Sequence, residues 1–275
     1  MLTLGSAPPS WGESVVKVIH KKGDTSDPGN FRMIALSGCI GKTFHLLLTN
    51  RLTNYLTTNN LVDPTMQKAF LPGINGCIEH NVAMEEIIKD VRLKKRTAHV
   101  TFFDLEDAFG SVPHSLIHET LRRNHLPPNI LSYFNSCYNN CQAVVDTPNW
   151  RSEPFQFKRG VFQGDPVSPI IFLMAFNPVL LHLKLQEETI GYKLNNDAHI
   201  VTLPYADDFC LITTHSRTHQ RTIDTINSHI NSMGMKLKPS KCRSLTISAG
   251  SPKDVPFHIG EHRVPSIKDE EQKFL

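Results

Sequence analysis

Two adjacent acidic residues of this chain lie between two short apolar segments. Residues 200–203 and 209–212 predict β-strands, so the intervening Tyr205-Ala206-Asp207-Asp208 predicts the tip of a hairpin. Residues 98–104 are rich in β-branched and aromatic side chains, predict a buried strand and end in Asp104. Carboxylates about 4 Å apart repel by roughly 4 kcal/mol at an effective dielectric constant near 20, so solvent or cations must relieve that repulsion. An Asp-Asp pair alone is also typical of an exposed turn.

The remaining pattern mixes helices and strands irregularly. Apolar residues recur at helical spacing in 44–56, 78–91 and 223–233, and further helices are predicted from Pro113 and from Ser168-Pro169, with a kink at Pro178. Strands are predicted at 142–146, 155–158, 235–237 and 245–247. This order favours an α+β fold over a regular βαβ repeat. The basic run 92–96 is typical of a solvated surface loop, with a nucleic-acid patch as the alternative.

The composition is that of an ordinary folded chain. The 275 residues are 40% hydrophobic and 20% charged, which excludes a collagen-like or wholly disordered chain and allows one large domain or two smaller ones. A net charge of +3 and a pI near 8.5 permit nucleic-acid binding without requiring it. The six cysteines are expected to be reduced thiols of an intracellular protein, with metal binding as the alternative. No secretory signal is recognisable, and the longest apolar run, 170–176, is too short to span a membrane, so we expect a soluble protein.

Further motifs accompany the acidic residues in a fixed order. They are Lys21-Lys22-Gly23-Asp24, Asn30-Phe31-Arg32, Gln67-Lys68-Ala69-Phe70, Asp104-Leu105-Glu106-Asp107-Ala108-Phe109, residues 160–169, Tyr205-Ala206-Asp207-Asp208 and residues 234–241. With these motifs, the chain resembles the reverse transcriptases of non-LTR (LINE-type) retrotransposons from about Trp11 to its last residue. The resemblance implies a right-hand polymerase architecture, with an α+β palm and interleaved fingers.

The resemblance also implies how the chain is divided. The whole of 1–275 would be one reverse transcriptase domain, with fingers at approximately 1–97 and 116–155 and palm at approximately 98–115 and 156–275. Lys273-Phe274-Leu275 resembles the start of the primer-grip segment, so the chain is expected to stop before the thumb. We therefore expect a fingers-and-palm part of a longer retrotransposon polyprotein.

The activity implied by the resemblance is RNA-directed DNA synthesis, in which dNTPs are added to the 3′-hydroxyl of a DNA primer on an RNA template. Asp104, Asp207 and Asp208 would be catalytic and would bind two Mg²⁺ ions, for which Mn²⁺ could substitute. A main-chain carbonyl at Leu105 would add a ligand. Hard cations such as Mg²⁺ prefer carboxylate and phosphate oxygens. The expected location is the nucleus or cytoplasm, away from membranes.

The resemblance assigns roles to residues outside the acidic cluster as well. Phe109, next to Ala108, matches the steric-gate position that crowds a ribose 2′-hydroxyl, and Lys241 matches a lysine that protonates the departing pyrophosphate. The remaining matches would contact the triphosphate, the nascent base pair, or the primer and template; they are Lys21 or Lys22, Arg32, Gln163, Gly164 and Tyr205. The residues taken alone allow other interpretations: core packing for Phe109, a turn for Gln163 and solvated charges for the basic side chains.

Three residues depart from the family's pattern. Gly110 stands where Asp is usual, Met33 where Pro is usual and Phe162 where a basic residue is usual. The three acidic residues are retained, so these changes are expected to weaken nucleotide binding or template contact without forbidding catalysis. Two other functions stay open: a catalytically weak or inactive nucleic-acid-binding remnant of such an element, and a metal-dependent phosphohydrolase that uses the same acidic residues.

Overall fold

The computed structural model describes residues 3–194 and 197–267. Its helices are α1 (Cys39–Thr58), α2 (Gly76–Leu93), α3 (Ala108–Ser111), α4 (His114–Arg123), α5 (Pro128–Asn139), α6 (Ser168–Lys184), α7 (Glu187–Ile190) and α8 (Ser216–Ser232). Its strands are β1 (Glu13–His20), β2 (Phe31–Leu36), β3 (Thr97–Phe103), β4 (Gln142–Val145), β5 (Phe155–Gln156), β6 (Tyr192–Lys193), β7 (His199–Ile200), β8 (Phe209–Thr213), β9 (Arg243–Ser248), β10 (Ser251–Lys253), β11 (His258–Ile259) and β12 (His262–Arg263). This mixture of helices and mainly antiparallel sheets confirms the predicted α+β class.

The chain forms two compact units. The first comprises Met1–Leu61 and Phe109–Ala175, and the second comprises Val62–Ala108 and Phe176–Leu275. The bounds given above for fingers and palm stay a prediction, because compactness does not define those functional parts. Lys273-Phe274-Leu275, expected to begin the primer grip, lies outside the described residues.

A four-stranded sheet in the order β2-β1-β4-β5 is the framework of the first unit. β1 pairs antiparallel with β2 and parallel with β4. Helices α1 and α5 bury Leu56, Tyr133 and Phe134 almost completely. The sequence did not predict β1, because its second half is exposed on both faces and even its apolar Ile19 is 55% exposed.

Helix α1 buries a different face from the one that its apolar spacing predicts. Leu47, on the predicted apolar face, is 59% exposed, whereas the polar His45 is 9% exposed. The ring of His45 contacts Asp165 and Tyr133 within the first unit. These polar contacts, which apolar periodicity cannot reveal, set the rotation of the helix about its axis.

β3 is an inner strand of the main sheet of the second unit, whose order is β10-β9-β3-β8. It pairs antiparallel with β8 and with β9, so both of its edges are covered. One face of this sheet packs Val100, Ile212 and Ile247 against Ile87 and Val91 of α2. Full burial of each such side chain stabilises the fold by about 1.5–3 kcal/mol, so this apolar contact holds β3 on α2.

The opposite face of the same sheet is polar yet buried. The Oγ1 atoms of Thr101 and Thr213 contact the two ring nitrogens of His219, on α8, at 2.8 and 2.9 Å. The Nδ1 of His99 contacts Thr246 Oγ1 at 2.9 Å. Because buried polar groups need hydrogen-bond partners, these pairs explain how a sheet face beside a helix can carry histidine and threonine.

Acid should destabilise the protein through His99. Burial, with a smaller contribution from the charge of His215, lowers the pKa of His99 to about 4, whereas an unfolded histidine titrates near 6.5. The unfolded chain therefore binds the extra proton between these pH values, and the free energy of unfolding should fall by about 3 kcal/mol as pH drops through that window. Urea unfolding at several pH values should show a shallower fall for His99→Gln. The exposed His258→Gln is the control, and parallel pH profiles for the unmodified chain and His99→Gln would contradict the prediction.

Three predicted elements differ from those observed. The strand predicted at 200–203 is shorter, because Pro204 lacks the N–H that would extend a ladder; Thr202 forms only an isolated bridge with Leu211. The strand predicted at 235–237 is reduced to a bridge between Leu237 and Leu105. Pro178 does not end α6, which continues through it. Its missing N–H costs one helical hydrogen bond, and the extensive burial of the helix offsets that cost.

Cysteines and helices agree with the composition. All six cysteines lie within the described residues and carry free thiols, as predicted. Burial raises the pKa of Cys210 to about 12, so this thiol stays protonated near neutral pH. Across residues 3–194 and 197–267, each helix is too short or too polar to cross a bilayer.

Candidate active site

The acidic segments meet at one end of the main sheet of the second unit. Phe103, the last residue of β3, pairs with Phe209, the first residue of β8, and their rings stack with centroids 4.7 Å apart. Asp104 follows Phe103 and Asp208 precedes Phe209, so the antiparallel register places both acidic residues just beyond the paired strand ends. Directly opposed residues of antiparallel strands have Cα atoms about 4.5–5.5 Å apart. The structure thus brings Asp104 beside the Asp207-Asp208 pair.

A tight turn presents the acidic pair. The Tyr205 N–H donates to the Asp208 carbonyl at 2.7 Å, and the Asp208 N–H donates to the Tyr205 carbonyl at 3.1 Å. Between them Ala206 adopts a left-handed conformation, with φ of 58°. That conformation is unfavourable for alanine, so the turn needs support from its surroundings. Tyr205 itself is 39% exposed at the turn.

Gln67 supplies that support, and sequence reasoning missed its role. This side chain is 1% exposed; its Oε1 accepts from the N–H of Ala206 at 2.9 Å and from that of Ala69 at 3.0 Å. Its Nε2 donates to the Ala206 carbonyl at 3.4 Å. The motif containing Gln67 was recognised, but only the fold shows that its amide binds the turn 139 residues away.

The carboxylates of the cluster affect one another electrostatically. Burial raises the pKa of Asp207, and the charge of Asp104 raises it further. The surrounding protein also raises the pKa of Asp208, with added contributions from Asp207 and Asp104. The three side chains are therefore close enough for their charges to repel, which is the condition that a bound cation would relieve.

The carboxylate of Asp104 has an unsatisfied oxygen. Its Oδ1 is buried, and among the described residues no donor hydrogen-bonds to it, although Lys241 Nζ lies 3.8 Å away. The main chain of Asp104 is fixed: its carbonyl accepts from the Lys238 N–H at 2.8 Å, and its N–H points to Cys242 Sγ at 3.4 Å. The bridge between Leu105 and Leu237 is flanked by hydrogen bonds from neighbouring residues, and those bonds do not use the Leu105 carbonyl.

This donor set fits a divalent cation that also has substrate ligands. Among residues 3–194 and 197–267, no three His, Cys, Asp or Glu side chains form a ready-made metal cage. Mg²⁺ is usually held by one or two carboxylates together with substrate phosphates, so a complete protein cage is not required. The buried, unbonded Asp104 Oδ1 and the mutual repulsion of the three carboxylates are the features that a cation would satisfy.

Several predicted nucleotide-binding residues lie in the first unit. Lys21 and Lys22 are exposed in the loop that joins β1 to β2, and Arg32 is exposed on β2. Phe109 is half-buried on α3 and stacks on Phe172, with centroids 4.8 Å apart and planes 13° from parallel. Ala108, the last residue of the second unit, is buried. Packing against Phe172 thus accounts for part of the Phe109 ring.

The loop containing Gln163 and Gly164 is attached to β2. The Ala35 N–H donates to the Gln163 carbonyl at 2.7 Å. Gly164 has φ of 115°, and a Cβ on it would lie 2.6 Å from the Ala35 carbonyl oxygen. Glycine is therefore required here both by its backbone conformation and by the close approach of β2.

Gly164→Ala should destabilise the protein by about 2–3 kcal/mol, because alanine is strained at this φ and its Cβ would collide with Ala35. Urea unfolding measures the change. Gly260→Ala is the matched control: its φ of 59° is also left-handed, but no heavy atom lies within 4 Å of the added Cβ. That control should cost only about 1 kcal/mol. Equal costs for the two variants would show that the contact with β2 contributes nothing.

A buried polar network behind this loop was not predicted. His45 Nδ1 contacts Asp165 Oδ2 at 2.6 Å, and His45 Nε2 contacts the Tyr133 hydroxyl at 2.8 Å. Asp165 Oδ1 also accepts from the Val167 N–H at 3.0 Å. The network joins α1, α5 and the start of α6 at the residue that follows Gly164.

The departures from the family's pattern have structural consequences within the first unit. Phe162 stacks on Tyr138, with centroids 5.6 Å apart and planes 9° from parallel, so it belongs to an aromatic cluster. Met33 is 51% exposed on β2. A Cβ on Gly160 would lie 2.9 Å from the Gly110 carbonyl oxygen, so these two glycine backbones approach closely.

Comparison with known proteins relates this fold to polymerases. The chain is 28% identical over 279 residues to the Retrovirus-related Pol polyprotein from type-1 retrotransposable element R2 of Nasonia vitripennis, covering 98% of this chain and 26% of that protein. It is also 28% identical to the type-2 element R2DM polyprotein of Drosophila melanogaster, covering 100% of this chain and 26% of the relative. The chain thus spans about a quarter of the length of these relatives.

Solved structures agree on the fold. Apo telomerase from Candida tropicalis superposes with a TM-score of 0.64 at 14% identity, over 94% of this chain and 48% of that one. A family model described as Reverse transcriptase (RNA-dependent DNA polymerase) matches residues 19–275. Together with the R2 relatives, this match confirms the resemblance to non-LTR elements. The chain therefore belongs to the reverse transcriptase family.

Proposed function

We propose that this chain catalyses RNA-directed DNA synthesis as part of a non-LTR retrotransposon polyprotein, adding dNTPs to a DNA primer on an RNA template. The observation that carries the proposal is the meeting of Asp104 with Asp207-Asp208 at adjacent strand ends, in a member of the reverse transcriptase family. The length of the R2 relatives supports a larger polyprotein as the working context.

Reverse transcriptases depend on divalent metal, and the ions proposed here are two Mg²⁺, with Mn²⁺ as a substitute. Asp104 and Asp207 would be the principal ligands, Asp208 a supporting carboxylate and the Leu105 carbonyl a further donor. When bound, two such ions activate the attacking hydroxyl and stabilise the leaving oxygen. The protein's part is to hold these oxygens together against their repulsion, which the register of β3 with β8 and the Gln67 amide accomplish.

Other residues are proposed to bind and orient substrate. Lys241 Nζ lies 3.8 Å from Asp104 Oδ1, near enough to the acidic cluster to give a proton to departing pyrophosphate. Tyr205, exposed on the turn, would contact primer or template. Exposed cations suit triphosphate binding, and glycine allows close approach to a base pair. The first-unit residues with these roles by their match to the family are Lys21 or Lys22, Arg32, Gln163 and Gly164, and Ala108 borders Phe109.

Phe109→Val should weaken discrimination against ribonucleotides by about 10–100-fold, because a smaller side chain no longer crowds the 2′-hydroxyl. The measurement is kcat/KM for a dNTP and for the matching rNTP on one primer and template. Phe172→Leu is the control, since it alters the ring packed on Phe109 while leaving residue 109 in place. A loss of stability in both variants with an unchanged ratio would favour the core-packing interpretation of Phe109.

Extension of oligo(dT) on poly(rA) with Mg²⁺ and dTTP tests the proposal. Template-dependent incorporation supports it. RNA binding without incorporation at high protein concentration would instead support an inactive nucleic-acid-binding remnant. Hydrolysis of free dTTP in the absence of primer would support a phosphohydrolase. Either of these last two results would overturn polymerisation by this chain.

A further inference from the structure

A cavity of about 770 Å³ lies in the second unit, at the end of the main sheet away from the acidic residues. Thr97, which begins β3, and Ser248, which ends β9, both line it. Asp104 follows the other end of β3, and a strand rises about 3.4 Å per residue, so Thr97 and Asp104 are roughly 20 Å apart. The cavity is therefore distinct from the candidate active site.

The lining is positively charged. Arg96, Lys193 and Lys253 line the cavity, and among its described lining residues there is no Asp or Glu. Arg96 pairs with Asp90 at 3.4 Å and Lys193 with Asp197 at 2.7 Å, both acids lying outside the lining. Among the described residues Lys253 enters no ion pair. The cavity thus carries an excess of cations that the nearby acids only partly neutralise.

The uncharged part of the lining supplies hydrogen-bond donors. Thr97 Oγ1 and Ser248 Oγ are 2.9 Å apart, and each hydroxyl retains bonding capacity beyond this contact. Ser216 begins helix α8, whose N-cap residue His215 makes no side-chain capping bond. The first N–H groups of a helix lack intrahelical partners and favour anions. Cations, hydroxyls and main-chain N–H groups together suit a phosphate, whose oxygens only accept.

We infer that this cavity binds backbone phosphates of a single-stranded nucleic acid; the choice of a strand as phosphate carrier rests on the proposed function. A cavity of this volume is in the range of small-molecule sites and cannot enclose a double helix. A flexible single strand can place a nucleotide in it and continue along the surface. Contacts of this kind hold a strand without reading its sequence.

The test is binding of a fluorescent short single-stranded RNA, followed by anisotropy over a salt series without dNTPs or divalent ions. The variant Lys193→Ala/Lys253→Ala removes two exposed cations from the cavity. Each lost phosphate contact on a single strand lowers the slope of log K against log salt by about 0.7, so the expected decrease is about 1.4. The control is Lys89→Ala/Lys184→Ala, which removes two exposed lysines of the same unit that do not line the cavity. It should keep the original slope.

Equal slopes for the cavity variant and the unmodified protein would overturn the inference. Inorganic phosphate at constant ionic strength distinguishes the source of the ligand: it should displace RNA from the unmodified protein more than from the cavity variant. Phosphate binding with an unchanged RNA slope in the cavity variant would overturn the assignment to a strand. Asp207→Asn should bind RNA with the original slope, so a failure of polymerisation is distinguishable from a failure of this site.

Discussion

Asp207→Asn is expected to lower template-dependent dNTP incorporation by at least about 10³-fold, or about 4 kcal/mol of transition-state stabilisation. Asparagine keeps the size of the side chain and its preference for turns, but it removes the negative charge and one of the oxygens that can bind a cation. Burial and the charge of Asp104 raise the pKa of Asp207, so the native carboxylate stands in a position that a cation would stabilise. Extension of oligo(dT) on poly(rA) measures the loss.

The control for this variant is Asp224→Asn, which removes the same charge from an exposed position on α8. It should leave incorporation unchanged. The urea midpoint of Asp207→Asn should equal or exceed that of the unmodified chain, because one of three repelling carboxylates is gone. Incorporation within about tenfold of the unmodified chain would remove Asp207 from the catalytic assignment.

Asp165→Ala should lower the free energy of unfolding by about 4 kcal/mol. The carboxylate is 8% exposed and bonds both His45 and the Val167 N–H, and removing one member of such a buried pair leaves the other without its partner. Urea unfolding gives the value. Asp165→Asn keeps an oxygen for one of these contacts and should cost less, about 1–2 kcal/mol.

Two further variants make the Asp165 prediction specific. Tyr133→Phe removes only the hydroxyl that contacts His45 Nε2 and should cost about 1 kcal/mol. Asp224→Ala changes an exposed helix residue and should shift stability by no more than about 0.5 kcal/mol. If Asp165→Ala resembled Asp224→Ala, the three-residue network would have no role in holding α1 against α5.

The acidic cluster was accessible from the sequence because its signals are local. β3 and β8 are short apolar runs, and each has its acidic residue at the end where the run stops. Antiparallel pairing of two such strands brings their opposite chain ends together, so Asp104 meets Asp208 in the simplest register. The roles of the individual side chains still rest on the resemblance and on the experiments above.

Features that depend on distant partners were not accessible. Gln67 reads as an ordinary polar residue until the fold brings Ala206 to its amide. His45 interrupts the apolar spacing of α1, and only Asp165 and Tyr133 explain its burial. The parallel pairing of β1 with β4 joins segments more than 100 residues apart, which no periodicity can indicate.

The position of β3 inside its sheet has a consequence during synthesis. Its two neighbours, β8 and β9, are translated more than 100 residues later, so at ribosomal rates of about 5–20 residues per second its edges stay open for on the order of 10 s. An apolar strand with open edges is a template for pairing with other chains. Protection of the nascent chain over this interval, more than the stability of the finished sheet, would then limit how much protein reaches the native state.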